Sequence, residues 1–150
     1  MSELGMLNKA VQKTAEWIHD AERELGWHDD RRAYQALRVV LHSLRDRLTI
    51  EEAVQLGAQL PTLVRGLYYE GWIPRKKPFR DENKYGFLSE VQRNFGTRHT
   101  DNIDSIHVSR AVFRLLNKKV SEGEIDDVRS SLPKAIRDLW PNGERKDAAA

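Results

Sequence analysis

The stretch Leu60-Pro61-Thr62-Leu63-Val64-Arg65-Gly66-Leu67-Tyr68 returns 72 positions later as Leu132-Pro133-Lys134-Ala135-Ile136-Arg137-Asp138-Leu139-Trp140. Leu, Pro, Arg, Leu and an aromatic ring hold their places. The offset continues upstream, where Leu44, Leu48, Thr49, Glu52 and Leu56 fall on Leu116, Val120, Ser121, Glu124 and Val128. Further upstream it becomes 70, and Trp17, Ala21, Leu25 and Gly26 fall on Phe87, Val91, Phe95 and Gly96. A two-residue insertion in the loop after Gly96 accounts for the change. A duplicated unit is the simplest explanation, and it constrains the fold strongly: whatever the first half forms, the second half forms again in the same order.

Each unit reads as about four helices. Ala10, Val11, Thr14, Trp17, Ile18, Ala21 and Leu25 recur at helical spacing, and Gly26 follows where a left-handed C-terminal cap is wanted. Asp29 or Asp30 is suited to cap a second helix, whose apolar stripe runs through Ala33, Leu37, Val40, Leu41, Leu44 and Leu48. Thr49-Ile50-Glu51-Glu52 has the form of a capping box, in which each side chain satisfies a backbone donor of the other's turn. It opens a short third helix with Ala53 and Leu56 inward. Pro61 suits the first turn of a fourth helix running toward Trp72, because its missing N–H has no partner to lose there. In the second unit the stripes are Phe87, Leu88, Val91, Phe95 and then Ile106, Ala111, Val112, Leu115, Leu116. Ser121-Glu122-Gly123-Glu124 is the second box and Pro133 the second helix start. Ser109 stands where the first unit has Leu37, so the second unit packs less apolar volume.

These signals predict an all-α protein of two tandem repeats, residues 7–72 and 83–140, with a connector at 73–82 and a frayed tail at 141–150. A unit of ~65 residues alone holds a marginal core, so the halves are expected to pack on each other as one bundle-like domain. The chain has no cysteine, which excludes disulfides, thiolate nucleophiles and cysteine-ligated metals and fits a reducing cytoplasm. No basic and then apolar leader opens it, and no apolar run approaches the ~20 residues that span a bilayer, so no membrane association is expected. Twenty-five basic and 23 acidic residues leave a net charge of +2, a mixed surface and not a polycation.

The run Leu37-Arg38-Val39-Val40-Leu41-His42-Ser43-Leu44-Arg45-Asp46-Arg47-Leu48-Thr49-Ile50-Glu51-Glu52-Ala53, followed by Gln59-Leu60-Pro61 and Arg65-Gly66-Leu67-Tyr68-Tyr69-Glu70-Gly71-Trp72, resembles domain of unknown function 2267, a prokaryotic family of tandem helical repeats. The resemblance extends from about Leu7 to Trp140. It implies the helical fold and a bacterial cytoplasmic setting, and it brings no catalytic residues with it.

Candidate chemistry is sparse. Glu16-Trp17-Ile18-His19 has the Glu-x-x-His spacing of di-iron helices, but such a site needs a second copy, and Ser89 stands at the equivalent of His19. Gln12, Glu16, His19 and Arg23 read better as a solvated face. His28 neighbours Asp29 and Asp30, which are wanted as caps, and His99 and His107 have no ligand-type neighbours. No nucleophile elbow, phosphate-cradling glycine loop or zinc-binding helix motif is present. The pairs Glu51-Glu52 and Asp126-Asp127 lie in first helical turns, where the dipole favours negative charge. No metal, no cofactor and no enzymatic activity are therefore expected.

Two binding readings remain. Arg31, Gln35, Arg38, His42 and Arg45 fall at i, i+4, i+7, i+11 and i+14 and are expected to line one exposed helix face. With Arg75, Lys76, Lys77 and Arg80 of the connector they could contact phosphates as a weak, salt-sensitive nucleic-acid binder. Against this, the short helix after the turn carries Glu51 and Glu52, and its repeat Glu122, Glu124, Asp126 and Asp127. The leading reading is a protein-interaction module, with nucleic acid as the alternative: a still unidentified protein partner is expected to meet Arg38, His42 and Arg45 with Tyr69 and Trp72, since aromatics beside arginine make up binding hot spots. Tyr68 and Trp140 are read as core, and Arg65 and Arg137, equivalent in the two units, as structural.

Overall fold

The computed structural model describes residues 2–74, 83–96 and 102–141. The insertion after Gly96, the connector cations Arg75, Lys76, Lys77 and Arg80, His99, and the tail beyond Pro141 lie outside the described residues. Eight helices and no strand occur among the described residues: α1 (Glu3–Leu25), α2 (Asp30–Arg45), α3 (Ile50–Ala58), α4 (Thr62–Tyr69), α5 (Tyr85–Phe95), α6 (Ser105–Lys119), α7 (Glu122–Ser131) and α8 (Lys134–Arg137). The protein is all-helical.

The helix ends follow from local chemistry. Asp29 accepts a hydrogen bond from the Arg32 N–H, Thr49 from Glu52, Asp104 from Ile106 and His107, and Ser121 from Glu124. Gly26 ends α1 in the left-handed conformation (φ 73°), which any residue with a Cβ would adopt only under strain. Pro61 and Pro133 stand one position earlier than expected, immediately before their helices. Helix α4 stops at Tyr69, short of Trp72, and α8 is a single turn.

One buried apolar cluster draws on both halves. Residues paired by the sequence offset are buried together: Trp17 with Phe87, Leu44 with Leu116, Leu56 with Val128, Val64 with Ile136, and Tyr68 with Trp140. Helix α1 packs on α2 and α6, α5 packs on α6 and α2, α2 on α6, and α3 on α7. Exchanging the halves leaves these contacts unchanged, whereas the contacts of α4 with α1, α2 and α3 have no counterpart of similar extent at α8 among the described residues. Two ion pairs between the halves obey the same exchange. Arg47 Nη1 lies 2.5 Å from Glu90 Oε2, and Lys119 Nζ 2.5 Å from Asp20 Oδ2. Arg47 and Lys119 are 72 positions apart, and Asp20 and Glu90 are 70 apart.

Three expectations are corrected. Val11 continues the α1 stripe but is 58% exposed, because the core begins at Trp17. Helix α1 has 23 residues against 16 in α2 and 15 in α6, so its first turns, with Leu4 and Leu7, overhang the helices it packs on. Ile106, placed on the α6 stripe, is also exposed. The capping boxes are half formed: Thr49 and Ser121 accept the expected N–H bonds, whereas Glu52 and Glu124 turn away from the caps and meet each other.

Candidate functional site

The residues singled out for partner binding converge on the last turn of α4. A helix ends with carbonyls that no longer have partners along the chain, and those carbonyls carry the negative end of the dipole. Here two side chains of α2, Arg45 and His42, meet them, and a third, Arg38, meets the carboxylate of Glu70 beside them. The Arg45 guanidinium donates from Nη1 to the Tyr68 carbonyl (2.7 Å) and the Glu70 carbonyl (2.9 Å), while its Nε donates to Asp46 (2.9 Å). His42 Nε2 lies 2.7 Å from the Leu67 carbonyl, and only the tautomer with its proton on Nε2 can donate there. Arg38 Nη2 reaches the Glu70 carboxylate at 2.6 Å.

The row of α2 residues is therefore not one exposed face. Exposure falls along it from Arg31, open to solvent, through half-buried Gln35, Arg38 and His42 to Arg45, which is 4% exposed. Burial, reinforced by the charges of Arg45 and Arg38, holds the His42 imidazole below its ordinary pKa, although the Leu67 carbonyl and Glu70 pull the other way. The hydrogen bond from Arg38 and its positive charge lower the Glu70 carboxyl.

The same device recurs elsewhere. Arg65 donates to the carbonyls of Gly57 (2.8 Å) and Leu60 (2.9 Å) and so closes the end of α3. His107 Nε2 lies 2.7 Å from the Leu25 carbonyl at the end of α1, beside Arg114, which bonds the Glu24 carboxylate (3.1 Å) and carbonyl (3.3 Å). Lys118 pairs with the same Glu24 carboxylate. Burial works to raise Glu24, but these two cations hold it below its ordinary value. The structural role expected at both Arg65 and Arg137 is filled in this way at Arg65; among the described residues Arg137 makes no matching bond to a helix end.

The family model for "Uncharacterized conserved protein (DUF2267)" matches residues 14–139. The chain belongs to that family. No curated protein matches it.

Around this clamp the DUF2267 chain builds an apolar surface. Tyr69 stacks on Trp72 with ring centres 5.4 Å apart and 28° between planes. Both rings are half-buried. The Tyr69 ring lies against Gly57 of α3, so closely that a Cβ there would stand 2.2 Å from the hydroxyl oxygen. One turn back on the same α3 face is Val54, 47% exposed, and beyond it Ile50, 40% exposed. Ile73, just past Trp72, is 70% exposed. Val54, Gly57 and Ile73 were not picked out from the sequence. The available signal was an apolar pair, Ile50 and Val54, four apart on a helix start otherwise occupied by acids.

The remaining candidates lie apart. Gln12, Glu16, His19 and Arg23 are all exposed, in keeping with a solvated face. Trp27 packs edge-on against Phe95 (5.9 Å, 71°) with the Arg32 guanidinium 4.6 Å over its ring, which joins the α1–α2 turn to α5. Among the described residues no three His, Asp or Glu side chains gather as metal ligands, and no helix is long and apolar enough to cross a membrane.

Proposed function

We propose that this DUF2267 protein is a non-catalytic helical module of the bacterial cytoplasm that binds another protein through the strip Ile50, Val54, Tyr69, Trp72 and Ile73, with the Arg38–Glu70 pair at its margin. The observation that carries this reading is the Tyr69–Trp72 stack. Two large rings stack on one another, one of them lying against Gly57 of α3, and are left half open near exposed Val54 of α3 and Ile73 of the same segment. Rigid aromatic area loses little conformational entropy on binding and dominates interface energetics. In this reading His42 and Arg45 are positioning residues. They fix the last turn of α4, and with it the two rings, without touching the partner.

The test uses the full chain as bait in nuclease-treated lysate, with Val54→Glu and Gly57→Ala beside the wild type. Val54→Glu puts a charge into the strip, and Gly57→Ala displaces the Tyr69 ring from α3. Loss of the same captured protein with both variants, at melting temperatures near that of the wild type, supports the reading. Capture unchanged by both overturns it. The nucleic-acid alternative has no observation in its favour, since Arg38 and Arg45 are engaged within the fold.

A further inference from the structure

The contact between α3 and α7 joins the two halves, and a pair of acids lies in it. Glu52 and Glu124 occupy the same place in the two units, at the third residue after each cap. Glu52 is 9% exposed, and the Oε1 atoms of both carboxyls are sealed from solvent with no donor from another residue reaching them. The two carboxyls lie on the facing helices of this contact and act on one another. Two carboxylates have only acceptor atoms, so their sealed oxygens can satisfy one another only if one of them carries a proton. We propose that Glu52 and Glu124 form a one-proton clasp that fastens α3 of the first half to α7 of the second and releases when the proton leaves.

Among the described residues no cation acts on Glu124. Asp127, on α7, acts on Glu124 and is itself acidic. From α4 the neighbour is Tyr68, whose phenol is pushed up by burial, with Tyr69, Glu52 and Glu124 adding to the effect and Arg45 opposing it. Its hydroxyl donates to the Ala53 carbonyl (2.8 Å) and not to either acid. Arg65 of α4 is occupied at the end of α3. At the end of α6, Lys118 and Lys119 are bound to Glu24 and Asp20. Burial first, then the hydrogen bond and charge of Glu52, then Asp127, push the Glu124 carboxyl up to about 8.

The sign is fixed by linkage. The folded pair binds its proton more tightly than the unfolded chain does. Its contribution to stability is therefore fully present below the ordinary carboxyl range, declines as pH rises, and is gone above about 8. The clasp thus loosens on the alkaline side.

The experiment follows amide hydrogen exchange of α3 and α7 in the full chain between pH 6 and 9, corrected for intrinsic rates, for the wild type and for Glu124→Gln. An amide donates to the Glu52 carboxylate without titrating, so the variant keeps the bond at every pH. The expected result is exchange at least about tenfold faster at pH 9 than at pH 6 in the wild type, and a flat profile in Glu124→Gln. Glu52→Gln, its counterpart across the seam, serves if that variant fails to fold. A variant profile that parallels the wild type overturns the clasp. So does a carbon NMR titration of the wild-type carboxyls in which every glutamate ionises below pH 6.

Discussion

The two halves hold their last helices by the same strategy with different chemistry. In the first half the buried guanidinium of Arg45 grips the carbonyls at the end of α4. In the second half the equivalent residue is Asn117, which accepts a bond from Trp140 Nε1 (2.7 Å) and donates to the Pro141 carbonyl (3.5 Å). Tyr68 finds a hydrogen-bond acceptor in α3, whereas Trp140 stacks flat on Phe113 at 4.2 Å. Helix α4 runs eight residues and α8 four. The seam between halves, by contrast, is built twice in kind, with an Arg–Glu pair and a Lys–Asp pair at matching places. These two ion pairs keep the likeness of the halves at part of their seam, whereas the α1–α6 contacts of Glu24 with Arg114 and Lys118 have no such mirror image among the described residues, and the last helices differ, with the proposed binding strip at one of them.

The largest expected effect tests the clamp. Arg45→Ala leaves three acceptors without their donor in a buried place and is expected to lower unfolding free energy by about 3 kcal/mol, while Asn117→Ala loses about 1. Urea titrations of the two variants measure both, and equal losses would break the claim that one job is done with unequal strength. Next, Arg47→Ala is expected to cost about 2 kcal/mol and Lys119→Ala about 1 or less. Both make the seam pair, but Arg47 is 5% exposed, bonds the Ser43 carbonyl (3.0 Å) and lies 5.2 Å from the Phe87 ring centre. A larger loss at Lys119 in the same titration would reverse the ranking.

Ser109→Ala sharpens the comparison in the other direction. Ser109 is fully buried with an unpartnered hydroxyl, where the first half has buried Leu37. Removing that group is expected to stabilise the protein by about 1 kcal/mol, read as a rise in melting temperature. The smallest effect concerns His42, whose counterpart is Arg114. A histidine held below its ordinary pKa contributes stability that is present above its usual range and is lost as pH falls through it. His42→Gln in a Glu124→Gln background is expected to flatten the melting-temperature profile below about pH 6.5, by less than about 1 kcal/mol overall. An unchanged acid limb would detach the clamp from His42.

Much of this was legible in the chain. The offset marked Leu44 with Leu116 and Tyr68 with Trp140 as equivalent, and each pair is buried together. The burial of Arg45 is not legible in the row's spacing, because a helix turns about 100° per residue and fourteen residues fall about 40° short of whole turns. That drift carries the row from solvent at Arg31 to the α4 end at Arg45, and no local pattern announces that a helix end lies there. Glu52 and Glu124 were read as caps for the same reason. A capping box is a local motif, and what drew both acids away from it is a contact between halves. Val11 was read as core because periodicity gives a direction and not the length of the neighbouring helices.

The helix ends themselves carry a consequence for folding. Helices α1, α3 and α4 each finish on carbonyls answered by a side chain from a different helix: His107 and Arg114 for the first, Arg65 for the second, His42 and Arg45 for the third. No one of them completes its hydrogen bonding before its neighbour has docked, so forming a helix and assembling the bundle become one event. Heating is then expected to melt the protein in a single calorimetric transition, with calorimetric and van't Hoff enthalpies that agree, and not half by half.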